Sequence, residues 1–144
     1  MAERIRIQAL ALIRRGDRIL VESGRDDVKD ETFFRLLGGT VEFGERGADS
    51  LRRELREELG AESDVGRLVA TIENLFTYEG EWSHELCLVY ECSLRDEGIY
   101  ARDEWGAHEE TPSGVVTHPV SWRATESFGA GRDTLYPEQL LDLL

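Results

Sequence analysis

Residues 39–61 read GTVEFGERGADSLRRELREELGA, a glycine-rich turn followed by a segment with helical periodicity. From residue 51 to residue 59 every fourth residue is leucine, which is the spacing of the buried stripe on an amphipathic helix. The predicted helix spans residues 48–59 and is followed by Gly60, a residue type that often closes a helix in the left-handed conformation. This stretch therefore predicts one helix with an apolar face that packs against the rest of the fold.

Three carboxylates share one face of this predicted helix, because Glu54, Glu57 and Glu58 are separated by three and four residues. About 6 Å of helix rise separates the first from the last, so their charges repel. A solvated face, with ion pairs such as Arg53 to Glu57, is the simpler interpretation. The glycines in front of the helix favour a second interpretation, a ligand site, since they permit close backbone approach to a ligand. Magnesium is usually held by a few carboxylates together with substrate phosphates, so this face is a candidate metal-phosphate site.

The same stretch resembles the Nudix box, the signature of the Nudix hydrolase family. That signature is Gly, five residues, Glu, seven residues, Arg-Glu, an aliphatic residue, any residue, Glu-Glu, any residue, Gly and an aliphatic residue. The matching residues are Gly39, Glu45, Arg53, Glu54, Leu55, Glu57, Glu58 and Gly60. Ala61 is smaller than the usual last residue. The resemblance implies an α/β fold, the Nudix-type α/β/α sandwich with a mixed β-sheet between helices, as a single domain over residues 1–144.

The resemblance also implies roles for the box residues. Glu57, Glu58 and the backbone carbonyl of Gly39 are the expected metal ligands, with Mg²⁺ as the metal and Mn²⁺ as an alternative. Glu54 is either a further ligand or the catalytic base, and Glu58 is expected to be essential for turnover.

Two other box residues, Arg53 and Glu45, are expected to orient the helix and its loop. Outside the box, family members often recruit another acid, and Glu110 or Glu109 is the expected residue, with Glu85 as an alternative. Trp105, in the same predicted loop as Glu110, is a candidate for stacking on a nucleobase.

The function that the resemblance implies is divalent-cation-dependent pyrophosphohydrolysis. Metal-activated water attacks phosphorus in a nucleoside diphosphate linked to another group X, and gives a nucleoside monophosphate and phospho-X. ADP-ribose, a sugar nucleotide, a dinucleoside polyphosphate and a nucleoside triphosphate are all open as substrates. The alternative is a non-catalytic sensor that keeps the fold and binds a nucleotide.

Composition restricts the partners. The 144 residues include 17 basic and 30 acidic residues, and the net charge is −13. This balance disfavours nucleic-acid binding through charge and requires cations to bring a polyphosphate close. No apolar stretch predicts a membrane span or a signal peptide, so a cytoplasmic location is expected. Cys87 and Cys92 are expected to be reduced thiols, and the family resemblance permits a homodimer.

Hydrophobic runs and turn residues predict the remaining elements. Residues 24–31 and 96–114 are predicted loops, and a terminal helix is expected after Pro137. Predicted strands cover residues 5–13, 18–23, 33–37, 67–77, 83–94 and 115–122.

Overall fold

Strands and helices alternate along the chain in the structure, a computed structural model that describes residues 3–144. The strands are β1 (Ile5–Leu12), β2 (Arg14–Arg15), β3 (Arg18–Asp26), β4 (Glu31–Arg35), β5 (Leu37–Thr40), β6 (Ser63–Tyr78), β7 (Glu81–Leu94), β8 (Glu104–Thr111) and β9 (Gly114–Ala124). The helices are α1 (Gly47–Leu59), α2 (Glu97–Ala101), α3 (Thr125–Gly129) and a 3₁₀ helix (Glu138–Leu143).

The strands form two sheets. The first is mixed and has the order β5-β1-β7-β6, with β1 parallel to β7 and antiparallel to β5. The second is antiparallel and has the order β2-β3-β9-β8, and β4 also pairs with β3. Because β4 and β5 are separated by one residue, the chain passes directly from the second sheet to the first just before the glycine-rich turn.

The second half of β1 is apolar and packs on both faces, whereas Ile5 and Ile7 in its first half are exposed. On one face, Ala9 and Ala11 belong to a cluster that includes Leu51 and Leu55 of α1. On the other face, Leu12 belongs to a second cluster that includes residues of α3 and the 3₁₀ helix. The predicted fold class is confirmed, since a mixed sheet lies between helices. The division of the strands into two sheets is an addition to that prediction.

Helix α1 ends as its sequence predicts. Gly60 has φ +63°, and its N–H donates to the carbonyl of Arg56. The preceding β5 requires glycine for another reason: a Cβ on Gly38, where φ is +148°, would lie 1.9 Å from the carbonyl oxygen of Ala9. The backbone of β5 therefore approaches β1 more closely than any side chain would allow.

The predicted loop over residues 96–114 is wrong. It contains α2 and β8, and β8 pairs with β9 along its whole length. Four of the eight β8 residues are exposed and three of these are Glu, whereas Ala107 is buried, so the sequence of this acid-rich strand resembles that of a solvated loop.

Three smaller boundaries also differ from the prediction. β3 continues to Asp26, so residues 27–30 alone form the turn before β4. The terminal helix is of the 3₁₀ type, and α3 is only five residues long, too short to produce a hydrophobic period. Within residues 3–144, no helix is both long and apolar enough to cross a membrane.

Both cysteines are free thiols, as the sequence predicts. Cys87 is buried between the sheets and Cys92 is half-buried, five residues further along β7. Burial raises the pKa of Cys87 to about 12 and that of Cys92 to about 11. Neither thiol is therefore a reactive thiolate near neutral pH.

Candidate active site

A cavity of about 1740 Å³ lies beside α1 and between the two sheets. Its wall includes Gln8 from β1, Glu22 from β3, Arg35 from β4 and Glu58 from α1. The hairpins β6–β7 and β8–β9 complete the wall. The wall contains eleven Glu side chains, so carboxylates are its main charged groups. These eleven are Glu22, Glu31, Glu42, Glu54, Glu57, Glu58, Glu81, Glu85, Glu109, Glu110 and Glu138.

Gly39 and Glu54 are in direct contact. A Cβ on Gly39 would lie 2.4 Å from the carboxyl carbon of Glu54, so only glycine lets this carboxylate rest on the β5 backbone. The predicted ligands Glu54 and the Gly39 backbone are thus brought together by the packing of α1 on β5. Burial is the main cause that raises the pKa of Glu54, and the guanidinium of Arg53 opposes it.

Arg53 binds the turn and the helix at once. Its Nε and Nη2 donate to the two oxygens of Glu45 at 2.8 and 2.9 Å, and its Nη1 donates to Glu54 at 2.9 Å. Nη2 also donates to the backbone carbonyl of Thr40 at 3.3 Å. The hydrogen bonds from Arg53 are the main reason that the pKa of Glu45 falls to about 2. This ion pair therefore links the turn to α1, and the orienting role that the family resemblance implies for it stays a prediction.

Glu57 lies at the rim of the cavity, and its side chain is 58% exposed. Its two carboxylate oxygens are each 3.4 Å from Nη1 of Arg53. The i,i+4 ion pair that the simpler interpretation expected is therefore present, but it coexists with the contacts of Arg53 to Glu45 and Glu54.

Glu58 has a buried carboxylate oxygen that lacks a hydrogen-bond partner among the described residues. Within residues 3–144, its Oε2 and the hydroxyl of Ser63 are the buried side-chain polar atoms that lack a hydrogen-bond partner. Burial, followed by the charges of Glu22 and Glu54, raises the pKa of Glu58 to about 9, and the charge of Arg35 opposes them. An unsatisfied carboxylate that faces other carboxylates is unfavourable unless a cation or a proton joins it.

Glu22 is a cavity residue that the sequence analysis missed. It is 7% exposed in β3 and accepts a 2.7 Å hydrogen bond from Nε of Arg35, its register partner on β4. The sequence does contain a sign of it, because Glu22 is a charged residue that directly follows the apolar run of residues 19–21 within a predicted strand. Glu85, the alternative acid outside the box, interrupts an apolar strand in the same way.

The acids predicted outside the box all line the cavity. Glu109 and Glu110 are neighbours on β8, and neighbouring side chains on a strand point to opposite faces. Of these two, Glu109 is the one whose charge raises the pKa of Glu58. Its carboxylate also lies 2.7 Å from Nε2 of His118. Glu109 is therefore better placed than Glu110 to join the acidic face of α1.

Glu85 already has a partner, because it accepts a 3.1 Å hydrogen bond from Arg6. Trp105 lies in β8 rather than in a loop, and it packs against the first core cluster. The cavity wall does not include it. The aromatic residues that do line the cavity are Phe33, Phe76, Tyr78 and Tyr136.

The donor set fits a hard divalent cation. Carboxylate and carbonyl oxygens are the ligands that Mg²⁺ and Mn²⁺ accept, and the unpartnered Oε2 of Glu58 has the free capacity to bind one. Within residues 3–144, no three acidic, histidine or cysteine side chains already converge as a ligand set. Arg53 explains part of this, because it holds Glu54 and Glu57 by ion pairs.

Comparison with known proteins agrees with this geometry. A family model for the NUDIX domain matches residues 4–122. The E. coli ORF135 protein is 26% identical, with a TM-score of 0.60 over 97% of this chain and 88% of that chain. A MutT NUDIX hydrolase from Burkholderia pseudomallei is 22% identical, with a TM-score of 0.59 over 86% of both chains. An ADP-ribose pyrophosphatase from Streptococcus suis 89-1591 is 18% identical, with a TM-score of 0.58 over 96% of this chain and 87% of that chain.

The matched family contains the box that residues 39–61 predict, and the match extends well beyond it to most of the two sheets. The prediction of a hydrolase that acts on phosphoric anhydride bonds is thereby confirmed at the level of the family. The chain belongs to the NUDIX domain family.

Proposed function

We propose that this protein is a divalent-cation-dependent pyrophosphohydrolase that cleaves nucleoside diphosphates linked to another group X into a nucleoside monophosphate and phospho-X. The observation that carries the proposal is the unpartnered, buried Oε2 of Glu58, which faces the carboxylates of Glu22 and Glu54 in the cavity wall. A carboxylate in this setting supports a cation site, and a cation is what a diphosphate needs to approach a protein of net charge −13. The ADP-ribose pyrophosphatase among the similar structures supports the substrate class.

In this proposal, Glu57, Glu58 and the carbonyl of Gly39 hold the cation, with Mg²⁺ preferred and Mn²⁺ accepted. A divalent cation in such a site supplies a Lewis acid that screens the charge of the diphosphate and lowers the pKa of water. The protein's own contribution is to hold these oxygens in place, which Arg53 does from the side of the turn.

Proton transfer is the second task of the site. Glu54 is proposed as the base that takes the proton of the attacking water, because burial raises its pKa above the ordinary value and so makes it a better acceptor. Glu109 is proposed as the acid outside the box, in place of Glu110, because its charge acts on Glu58. Its hydrogen bond with His118 holds it in position.

Two further parts of the proposal concern the setting of the enzyme. A cytoplasmic location fits the two free thiols, since reducing compartments keep cysteines in this form. The homodimer that the family resemblance permits stays a prediction.

The test is a panel of nucleotide derivatives incubated with magnesium. For substrates without a terminal phosphate, a phosphatase releases inorganic phosphate from the monoester products, and for nucleoside triphosphates the release of pyrophosphate is measured instead. The panel contains ADP-ribose, sugar nucleotides, a dinucleoside polyphosphate and nucleoside triphosphates. Glu58→Gln is expected to lower kcat/KM by about a hundredfold on any substrate that is cleaved, because it removes a charge with little change of volume.

Glu62→Gln is the matched control, since Glu62 is exposed, lies outside the cavity wall and forms only a surface ion pair with Arg56. It is expected to keep wild-type kinetics. If Glu58→Gln retains near-native rates with a cooperative unfolding transition, Glu58 does not hold the cation. Cleavage of no compound in the panel, with retained nucleotide binding, would instead indicate the non-catalytic sensor.

A further inference from the structure

One end of the cavity is aromatic. The ring centroids of Phe33 and Tyr78 lie 6.1 Å apart in an edge-to-face arrangement, and those of Phe33 and Tyr136 lie 5.5 Å apart. Phe33 is buried, whereas the ring of Tyr78 is 40% exposed. The Tyr78 hydroxyl donates to the backbone carbonyl of Arg25, which fixes the ring. We refer to Phe33, Tyr78 and Tyr136 as the aromatic end.

A carboxylate lies at the edge of the aromatic end. Glu31 accepts a 2.8 Å hydrogen bond from the hydroxyl of Tyr136. An ionised carboxylate has about four lone-pair directions and no donor, so Glu31 can still accept further hydrogen bonds. Besides Glu31, the charges of Glu138 and Asp26 also act on Tyr136. This end of the cavity is therefore negative and offers acceptors to whatever binds there.

Arg35 stands between the aromatic end and the acidic face of α1. It is two residues from Phe33 on β4, so the two side chains share a face of that strand, and its charge opposes the rise in the pKa of both Glu58 and Tyr78. Within residues 3–144, its side-chain hydrogen bond is the one from Nε to Glu22, which leaves both Nη groups for a ligand. The guanidinium side chain is 40% exposed and lines the cavity. A phosphate placed at Arg35 would have the cation site on one side and the aromatic end on the other.

This layout restricts the kind of group that can bind at the aromatic end. A second phosphate cannot bind at the aromatic end, because Glu31, Glu138 and Asp26 would repel it. The rings pack directly on one another, so a ligand lies against the exposed side of Tyr78 and not between the rings. A flat group that stacks on Tyr78 and presents N–H groups to Glu31 satisfies both the ring and the carboxylate. A nucleobase has these properties.

We propose that the aromatic end binds the nucleobase of the substrate, that Arg35 binds the adjacent phosphate, and that Glu31 favours bases with N–H donors, guanine above all and uracil least. This inference rests on the proposed function, since it assumes that a nucleoside diphosphate derivative enters the cavity. Guanine presents two adjacent donors that match a carboxylate, whereas uracil flanks its single N–H with two carbonyl oxygens. Adenine and cytosine each present one amino group and are intermediate.

The experiment compares four substrates that differ only in the base: the guanine, adenine, cytosine and uracil nucleoside diphosphate glucoses. The wild type is expected to have a kcat/KM for the guanine compound at least about tenfold above that for the uracil compound. Glu31→Gln is expected to reduce this ratio by about tenfold, because a carboxamide also donates and can pair with uracil. Glu97→Gln, an exposed change in α2 outside the cavity wall, is expected to keep the wild-type ratio.

Binding of the monophosphate products, measured by calorimetry without catalysis, separates this inference from the proposed function. GMP is expected to bind at least about tenfold more tightly than UMP to the wild type but not to Glu31→Gln. Tyr78→Leu is expected to weaken the binding of all four monophosphates by about tenfold, because stacking does not depend on the base.

Equal rates on all four substrates, with or without Glu31→Gln, would overturn the inference while the proposed function stands. An equal loss on all four substrates in Glu31→Gln would also overturn it, since that is the effect of a merely structural residue. Selective binding of GMP without cleavage of any substrate would support the base site and contradict the proposed function.

Discussion

Replacing Gly39 by alanine tests whether the position of the Glu54 carboxylate matters to the reaction. The new Cβ would lie 2.4 Å from the carboxyl carbon of Glu54 and 2.6 Å from each of its oxygens. Ordinary contact begins at 3.4 Å, so the carboxylate must move by about 1 Å. It can move, because it is the end of a flexible side chain, and Gly39 itself does not have a left-handed backbone.

The expected cost is small in stability and large in activity. The moved carboxylate loses its 2.9 Å hydrogen bond from Arg53, which costs about 1–3 kcal/mol for a charged pair. The change from glycine to alanine in itself raises the free energy of unfolding by about 0.4–1 kcal/mol, because alanine restricts the unfolded chain. The resulting loss of about 1–2 kcal/mol corresponds to a Tm lower by roughly 3–8 °C. A displacement of about 1 Å at a catalytic group can lower the rate about a hundredfold.

The measurements are kcat/KM on the best substrate of the panel and thermal unfolding followed by circular dichroism. Gly38→Ala is the contrasting variant, because its Cβ would meet the backbone oxygen of Ala9 at 1.9 Å at a left-handed φ. It is expected not to fold. A Gly39→Ala protein with a rate within threefold of wild type would refute the role given to Glu54. A Gly39→Ala protein that fails to fold would refute the claim that the carboxylate can move.

Four other outcomes are expected. In the metal-free protein, the raised pKa of Glu58 means that the native state binds more protons than the unfolded state between about pH 4.5 and 9. The free energy of unfolding, measured by denaturant titrations at several pH values, is therefore expected to fall as pH rises through this window, and to fall less in Glu58→Gln. Added Mg²⁺ is expected to raise the Tm of the wild type at pH 8 and to raise that of Glu58→Gln less, and equal shifts would contradict a cation at this residue. With pKa values of about 12 and 11, Cys87 and Cys92 are expected to react slowly with a thiol reagent at pH 8 and rapidly in urea, which a colorimetric thiol assay measures. Asp26 accepts hydrogen bonds from the backbone N–H groups of residues 28, 29 and 79, so Asp26→Ala is expected to lower the Tm and to speed amide exchange at these three positions. Unchanged exchange there would show that these hydrogen bonds do not stabilise the turn.

The sequence was most informative where local spacing decides the outcome. Helix α1, its closure at Gly60, and the long hairpin of β6 and β7 follow from periodicity and turn residues within a few positions of one another. The acidic face of α1 follows in the same way, since residues three and four apart must be neighbours on a helix.

Contacts between distant segments could not be predicted in this way. Arg35 and Glu22 pair only because β3 and β4 lie in register, and Glu109 reaches Glu58 only because β8 lies beside α1. The wrong placement of Trp105 in a loop has the same origin. A tryptophan in an acid-rich segment suggests an exposed loop, but strand pairing turned it against the core.

Arg53 acts as a built-in counter-ion for the acidic face of α1. Its guanidinium spans Glu45, Glu54 and Glu57, so a permanent positive charge of the chain itself already neutralises part of this face. The proposed cation would therefore compensate fewer negative charges, and the unpartnered Oε2 of Glu58 is the atom that would be free to bind it.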